Sequence, residues 1–403
     1  MTVPVLAWAQ DRESLEQIAA LIRDNKTVAA ERQLAVFMRS KPDQPVALNL
    51  LGTIRAKQGR LKEAETLFTR AVDKEPRYSG ARMNLAYLYM QKREPAKAVV
   101  QLKEVVNLEP GNAQVLVDLG DAHLANGSLA EAEEQYLSAL QGRLDNATAL
   151  FGLAQISRQK GEIKEVAIFL TRIGALTTDA TPPDFLFKFA SLAMQVGMFD
   201  PAKAALENAL KQRPNEPAYL LALGITWLRK ADLFEAEKVF RRLLQLQPGS
   251  DQAQIHLGYV LLNQKKYDEA QLWLEKSARS RSPMPEVFYY LGLVAQEQSD
   301  DAKAILLFEK AVQKLPNYAH ARIALGASFI RQRNYTRAKE ELETAVKLDP
   351  EEPKAHYNLA LLYARLKDPA RAQAEMDIVE KLKAKGAGSD GVVVLPPNPN
   401  PRK

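Results

Sequence analysis

The chain has 403 residues and only four histidines, the side chains from which metal or acid–base chemistry would most readily be built. They are His123, His256, His320 and His356. No two of them have the i, i+4 spacing that places two metal ligands on one face of a helix, and the sequence contains no cysteine. A histidine metal centre and thiol chemistry are therefore both disfavoured.

Other catalytic motifs are also missing from the sequence. No glycine-rich phosphate loop, dinucleotide-binding fingerprint or serine nucleophile elbow occurs. Aspartate and glutamate are abundant, but on solvated helix faces their usual role is i, i+4 pairing with lysine and arginine. We therefore predict a protein that is not an enzyme, with no catalytic residues, no metal and no cofactor.

Charge and composition narrow the class of partner. Fifty-five basic and 49 acidic residues give a net charge of +6, and this balance indicates a solvated surface rather than a nucleic-acid site. No apolar run approaches the ~18 residues of a membrane span. The hydrophobic content of 46% and the charged content of 26% are typical of a folded globular chain.

The elements that position any functional side chain follow from a motif that recurs every 34 residues. A large apolar residue and a small one recur at Leu51-Gly52, Leu85-Ala86, Leu119-Gly120, Leu153-Ala154, Phe189-Ala190, Leu223-Gly224, Leu257-Gly258, Leu291-Gly292, Leu325-Gly326 and Leu359-Ala360. A later alanine recurs at Ala30, Ala64, Ala98, Ala132, Ala202, Ala236, Ala270, Ala304, Ala338 and Ala372. Closing prolines stand at Pro42, Pro76, Pro110, Pro214, Pro248, Pro316 and Pro350. The apolar spacing of three and four residues predicts two amphipathic helices in each repeat.

This pattern resembles the tetratricopeptide repeat family, which has a period of about 34 residues, small residues at fixed positions and a late proline. Eleven repeats begin at Asp11, Pro45, Ser79, Ala113, Ala147, Pro183, Pro217, Asp251, Pro285, Ala319 and Pro353. The resemblance implies an all-α fold, a right-handed superhelical solenoid of helix–turn–helix repeats. We expect the small residue to let the second helix of each repeat approach the first closely. We expect Gly59, Gly127, Gly161 and Gly197 to supply the turn between the helices.

The regularity of the repeats also predicts the domain organisation. Residues 11–180 contain repeats one to five and residues 183–386 contain repeats six to eleven, with a two-residue insertion at 181–182. The insertion is either a tolerated loop extension or a seam where the phase of the superhelix shifts. Residues 387–403 form a proline-rich tail that we expect to be disordered or polyproline-like.

The N-terminal segment 1–10 carries a possible targeting signal. Ala7-Trp8-Ala9 before Gln10 fits the small-x-small pattern of signal peptidase cleavage, but no basic segment and only a short apolar stretch precede it. If residues 1–9 are the end of a signal peptide, the protein is exported to the periplasm or secreted. If the match is fortuitous, the protein is cytoplasmic.

The surface most suited to binding is the one that the packing positions leave free. In tetratricopeptide repeat proteins, positions 2, 5, 9 and 12 of each first helix line a concave groove that holds peptides, and the resemblance implies the same here. The aromatic candidates at positions 5 and 9 are Tyr87, Phe151, Phe187, Tyr259, Tyr289 and Tyr357, and the basic candidates at position 13, on the edge of the groove, are Arg229, Arg331 and Arg365. They predict a partner segment with apolar anchors and acidic residues. The alternative is that the large side chains only pad neighbouring first helices.

These observations favour a scaffold for protein–protein interaction without chemistry of its own. The carboxylate clamp and the asparagine ladder used by two branches of the family are absent from the matching positions. By analogy with the family, the setting is bacterial envelope assembly, secretion or polysaccharide export. The alternative is a substrate-recruiting accessory subunit of an enzyme complex such as a glycosyltransferase.

Overall fold

The computed structural model of the chain describes residues 3–142 and 145–385, with side-chain surroundings for 11–141 and 145–385. In these ranges the chain forms twenty-two α-helices and no strand, so the predicted all-α fold of tandem helix pairs is confirmed. The predicted tail at 387–403 lies outside the described residues. In chain order the helices are α1 (Val3–Arg23), α2 (Thr27–Ser40), α3 (Pro45–Lys57), α4 (Leu61–Lys74), α5 (Ser79–Gln91), α6 (Pro95–Leu108), α7 (Ala113–Ala125), α8 (Leu129–Gly142), α9 (Ala147–Lys160), α10 (Ile163–Leu176), α11 (Pro183–Gln195), α12 (Phe199–Gln212), α13 (Pro217–Arg229), α14 (Leu233–Leu246), α15 (Asp251–Asn263), α16 (Tyr267–Ala278), α17 (Pro285–Glu297), α18 (Asp301–Lys314), α19 (Ala319–Arg331), α20 (Tyr335–Leu348), α21 (Pro353–Arg365) and α22 (Pro369–Ala384).

The first helices from α3 onward begin at the residues that the 34-residue register predicts. Proline occupies the first helical position of α3 and α13, where its missing N–H costs no hydrogen bond. At α7 and α15 a polar side chain caps the helix: Asn112 accepts from N–H groups of the first turn of α7, and Ser250 accepts from one at α15. Helix α1 begins at Val3, eight residues before the expected start of the first repeat.

The turn inside each repeat has one backbone conformation. Its fifteenth position has a positive φ in all eleven repeats, and glycine is present in the four expected cases, with φ between 76° and 79°. In the other seven repeats the left-handed residue is Asn25, Arg93, Ala231, Lys265, Ser299, Arg333 or Lys367. Two backbone hydrogen bonds close the end of α13 there, from Ala231 N–H to Leu228 O at 2.9 Å and from Asp232 N–H to Trp227 O at 3.0 Å.

The small residue of each first helix makes room for a side chain of the second helix of the same repeat. A Cβ atom added to Gly52 would lie 2.6 Å from the Phe68 ring, and one added to Gly258 would lie 2.5 Å from Leu274 Cγ. The expected close approach is therefore present, and a buried side chain fills the space. The Tyr136 ring is packed in this way against both Gly120 and Gly152, a glycine of the following repeat.

The chain divides into two compact units, Met1–Thr178 and Asp179–Lys403, and the boundary falls in the irregular stretch before α11. The inserted residues are held by α12 of the second unit. Gln212 Nε2 donates to the carbonyl oxygens of Asp179 at 3.1 Å and Thr181 at 2.8 Å. Lys211 Nζ lies 3.0 Å from Asp179 Oδ1. Contacts within the second unit therefore order the insertion.

Candidate functional site

The first helices carry all nine candidate groove residues, and Tyr87, in the first unit, lies in a polar environment. Tyr87 on α5 is 48% exposed, and its hydroxyl donates to Asp118 Oδ2 on α7 at 2.6 Å. Gln114 Nε2 donates to the other carboxylate oxygen of Asp118 at 2.9 Å. Burial raises the pKa of Asp118 above its ordinary value. The hydroxyl of Tyr87 is thus already engaged, and its ring face is what it can offer a partner. Phe151 on α9 is partly buried.

A chain of amides continues this polar surface toward α3. Asn84 Nδ2 donates to Asn49 Oδ1 at 2.9 Å, and Asn49 Nδ2 donates to the Tyr78 hydroxyl at 3.2 Å. Asn49 is buried, so both hydrogen bonds offset the cost of removing its amide from water. These contacts give Asn49, at groove position 5 of repeat two, a structural role.

The second unit has an aromatic cluster on its first helices, centred on Tyr289 of α17. The Tyr289 ring centroid lies 5.3 Å from those of Tyr290 and Tyr318 and 6.0 Å from that of Phe308. The centroids of Tyr259 and Tyr290 are 5.2 Å apart. Tyr259, Tyr290 and Tyr318 are buried, whereas Tyr289 is partly exposed. Much of the ring area predicted for the groove here is therefore used in packing between repeats.

The other two aromatic candidates of the second unit differ from each other in exposure. Phe187 on α11 is partly buried, and its ring centroid lies 5.1 Å from that of Tyr219. Tyr357 on α21 is 46% exposed, and Leu361, one turn further along the same helix, is 40% exposed. Arg365 is exposed a further turn along. Residues four apart lie on one face of a helix, so these three form a continuous exposed row, which we call the α21 row.

The three candidate arginines also differ. Arg331 Nε donates to Asp301 Oδ1 at 3.0 Å, and its Nη2 donates to Ser328 Oγ at 3.0 Å, so its charge is paired within the chain. Arg229 is partly buried, and burial together with the Arg229 charge lowers the pKa of His256 to about 4. Arg365 is exposed and is therefore available to an acidic partner.

One residue next to the aromatic cluster was not among the candidates. Glu286, in the first turn of α17, is only 8% exposed, and within the described part of the chain its Oε2 atom has no hydrogen-bond partner. Burial raises the pKa of this carboxyl group. The sequence does contain a signal for it, because an acidic residue follows the helix-initial Pro285 and precedes Tyr289 and Tyr290 by three and four residues.

Two of the four histidines, His356 and His320, lie close to acceptor groups of the chain. His356 is buried, its Nδ1 lies 2.6 Å from Glu375 Oε2, and its Nε2 lies 3.0 Å from the carbonyl oxygen of Pro350. His320 Nε2 lies 3.8 Å from Glu352 Oε2. Within the described ranges no group of three or more potential ligands is arranged to hold a metal ion.

Among the helices that the structure describes, none has both the length and the apolar character needed to cross a bilayer.

The helix pairs and their packing glycines define a tandem helical-repeat protein, and comparison with known families agrees. A family model of the tetratricopeptide repeat matches residues 83–147, 117–172, 187–251, 228–285, 255–319 and 323–387, and a second model of the same repeat matches residues 55–107. Together these matches cover more than half of the chain. The chain belongs to the tetratricopeptide repeat family, and its fold is that of a protein-interaction scaffold.

Two curated relatives illustrate what the chain is similar to. It is 25% identical over 223 residues to human Protein O-mannosyl-transferase TMTC3, and this match covers 55% of this chain and 24% of the relative. It is 27% identical over 258 residues to Cellulose synthase operon protein C of Xanthomonas axonopodis, which covers 60% of this chain and 17% of the relative. The chain thus spans less than a quarter of either relative's length.

Solved structures show similarity at lower sequence identity. Yeast Tom70 is 16% identical with a TM-score of 0.46, and the match covers 94% of this chain and 96% of Tom70. PilF of Pseudomonas aeruginosa is 20% identical with a TM-score of 0.45, and the match covers 50% of this chain and 92% of PilF.

Proposed function

We propose that the protein is a non-enzymatic scaffold that binds a segment of a partner protein along the first helices of its second unit. The observation that carries this proposal is the α21 row, in which Tyr357, Leu361 and Arg365 are all exposed. An aromatic ring supplies a large contact area at a low cost in side-chain entropy, and arginine binds carboxylates through paired hydrogen bonds. The partner segment would have apolar anchors and at least one acidic residue.

The packing of each side chain decides which variants can test this proposal. Tyr259 and Tyr289 belong to the packed aromatic cluster, so their truncation would lower stability as well as binding. Arg331 is already paired with Asp301. Tyr357→Ala and Arg365→Glu are cleaner changes, because both side chains are exposed.

The test begins with a pull-down by the intact chain and identification of the retained protein, followed by calorimetric titration of that partner. Tyr357→Ala and Arg365→Glu should each weaken binding by about tenfold, which is within the range for interface anchors. Phe234→Ala is the matched control, since Phe234 is an exposed aromatic residue of a second helix, 64% exposed. If both row variants fold normally and keep full affinity, the α21 row is not the binding surface.

A second candidate function is supported by the names of the relatives. One is an O-mannosyl-transferase and the other a cellulose synthase operon protein, and this chain matches only a part of each. We propose, as the alternative, that the chain recruits substrate or partner proteins for a glycosyltransferase complex, in envelope assembly, secretion or polysaccharide export. Retention of a glycosyltransferase or its polymer-export partners in the pull-down would favour this alternative. Retention of unrelated proteins alone would speak against it.

A further inference from the structure

A buried carboxylate lies beside four tyrosines in the second unit. Glu286, Tyr289 and Tyr290 have the i, i+3 and i+4 spacing of α17 that places side chains on one helix face. Tyr259 of the preceding repeat and Tyr318, the residue immediately before α19, complete the cluster. The five residues come from two adjacent repeats, and we call them the Glu286 site.

The carboxylate of this site is not satisfied by its surroundings. It accepts a hydrogen bond from its own backbone N–H, while Oε2 has no hydrogen-bond partner among the described residues. A buried charge without a partner is costly, and the other four members of the site are aromatic. The carboxylate is close enough for its charge to contribute, after burial itself, to raising the pKa of Tyr290 and of Tyr318.

These features select one kind of ligand. An anion would be repelled by the carboxylate, and an apolar group would leave the carboxylate buried without a partner. A cation would pair with the free oxygen and also interact favourably with the tyrosine ring faces. The partly exposed ring of Tyr289 links the site to the surface, and Glu352 lies close enough to Tyr289 to contribute a second negative charge.

We propose that the Glu286 site binds one basic side chain, lysine or arginine, of the protein segment that lies along the first helices. This inference rests on the proposed function and adds to it a basic residue at a defined place in the bound segment. Arg229 carries a positive charge near the same cluster, so the bound residue must pair directly with Glu286 to overcome this repulsion. Glu286 and the tyrosines would then form a specificity-determining pocket.

The first experiment uses a display library of random ten-residue peptides, panned against the intact protein, Glu286→Gln and Glu340→Gln. Glu340 is an exposed residue of the second helix α20, so its replacement removes the same charge away from the site. The wild-type protein and Glu340→Gln should enrich peptides with lysine or arginine at one position. Glu286→Gln should lose that enrichment and keep the enrichment of apolar residues. For one selected peptide, calorimetry should show a loss of affinity of about tenfold in Glu286→Gln.

The outcomes separate this inference from the proposed function. Peptides selected without a basic preference, or with one that Glu286→Gln leaves unchanged, overturn the Glu286 site and leave the scaffold proposal intact. If the wild-type protein retains no peptide at all, both proposals are overturned.

The second experiment measures stability without any ligand. Because Oε2 of the buried carboxylate has no hydrogen-bond partner among the described residues, Glu286→Gln should raise the melting temperature at neutral pH by about 2–4 °C, whereas Glu340→Gln should leave it unchanged. A carboxylate with a structural role would give the opposite sign. A lower melting temperature for Glu286→Gln would therefore overturn the inference.

Discussion

The left-handed residue in each repeat turn makes a quantitative prediction about stability. Ala231 has φ +58°, a conformation that costs an L-residue about 1–2 kcal/mol and costs glycine almost nothing. Glycine adds about 0.5–1 kcal/mol of backbone entropy to the unfolded chain, which opposes part of the gain. Ala231→Gly should therefore stabilise the α13–α14 pair by about 0.5–1 kcal/mol.

The reverse substitution is the matched control. Gly59 has φ +76°, and no atom lies within 4 Å of a Cβ placed on it, so Gly59→Ala has no steric consequence beyond the backbone. In this variant the left-handed backbone strain of alanine destabilises the fold, and the lower entropy of the unfolded chain offsets only part of that cost. Gly59→Ala should therefore destabilise the α3–α4 pair by about 0.5–1 kcal/mol.

Hydrogen exchange measured under native conditions suits both variants, because it reports local opening free energies in a protein whose repeats need not unfold together. Protection of the α13 and α14 amides should rise about two- to fivefold in Ala231→Gly. Protection of the α3 and α4 amides should fall by a similar factor in Gly59→Ala. If the two substitutions shift protection in the same direction, the conformational strain at this position does not control the stability of the pair.

Two further predictions concern packing and pH. Gly258→Ala should cost about 1–3 kcal/mol, because the new Cβ would lie 2.5 Å from the buried Leu274 Cγ, whereas Gly249→Ala meets no atom within 4 Å and should be nearly neutral; urea denaturation of both variants checks this. His256 is held neutral because burial lowers its pKa to about 4 from an unfolded value of 6.5, so the unfolded state binds the proton first as the pH falls. The free energy of unfolding is therefore unaffected by His256 above pH 6.5 and falls by up to about 3 kcal/mol as the pH drops from about 6.5 to 4. In His256→Asn the denaturation midpoint should depend less steeply on pH over that window. An unchanged pH profile in His256→Asn would show that other groups control the acid limb.

The 34-residue period made the helix pairs predictable because it is set by packing, and packing repeats in every copy. Helix α21 begins at Pro353 and ends at Arg365, as the register of the other repeats requires. Gly258 was predicted from the same register to lie at a close approach, and Leu274 fills that space. Positions that repeat in the sequence therefore repeat in the structure.

The turn conformation was only partly predictable. Glycine indicates a left-handed residue, but arginine, lysine or alanine at the same position does not. The closure of each helix pair imposes the conformation at Arg333 and Lys367 through hydrogen bonds of the turn, such as Asn334 N–H to Phe329 O at 2.9 Å. Tertiary context outweighs residue preference there, which is why the sequence pattern alone misses it.

The role of His356 was also hidden from sequence reasoning, because its partners lie in a different helix and in the preceding loop. Arg322, at the same position of the previous repeat, donates to the carbonyl oxygen of Pro316 at 2.8 Å and pairs with Glu341. His356 makes the same two contacts with Pro350 and Glu375. The two ring nitrogens of His356 therefore reach the same kinds of group, a carbonyl oxygen and a carboxylate, that the Arg322 guanidinium reaches. His356 is thus a structural residue of the last pair.

The candidate site was the least predictable part, because exposure at a groove position depends on what the next repeat places over it. Tyr289 and Tyr357 both occupy position 5, yet Tyr289 packs against Tyr318 while Tyr357 is exposed. The same dependence explains the burial of Glu286, since an acidic residue in the first turn of a helix is ordinarily a solvated one.

Repeats eight and nine contain several buried polar atoms that have no hydrogen-bond partner among the described residues. Ser277 occupies a position that is alanine in half of the other repeats, and its hydroxyl is buried without a hydrogen-bond partner in the described structure, as are atoms of Gln254, Ser280 and Glu286. In a solenoid, stability is roughly a sum over pairs and their interfaces, so regular neighbours can offset a local cost in repeats eight and nine. Packing alone favours the residue types of the other repeats at these positions. A binding pocket requires such a local loss of stability, because its polar groups must stay unpaired until the partner binds.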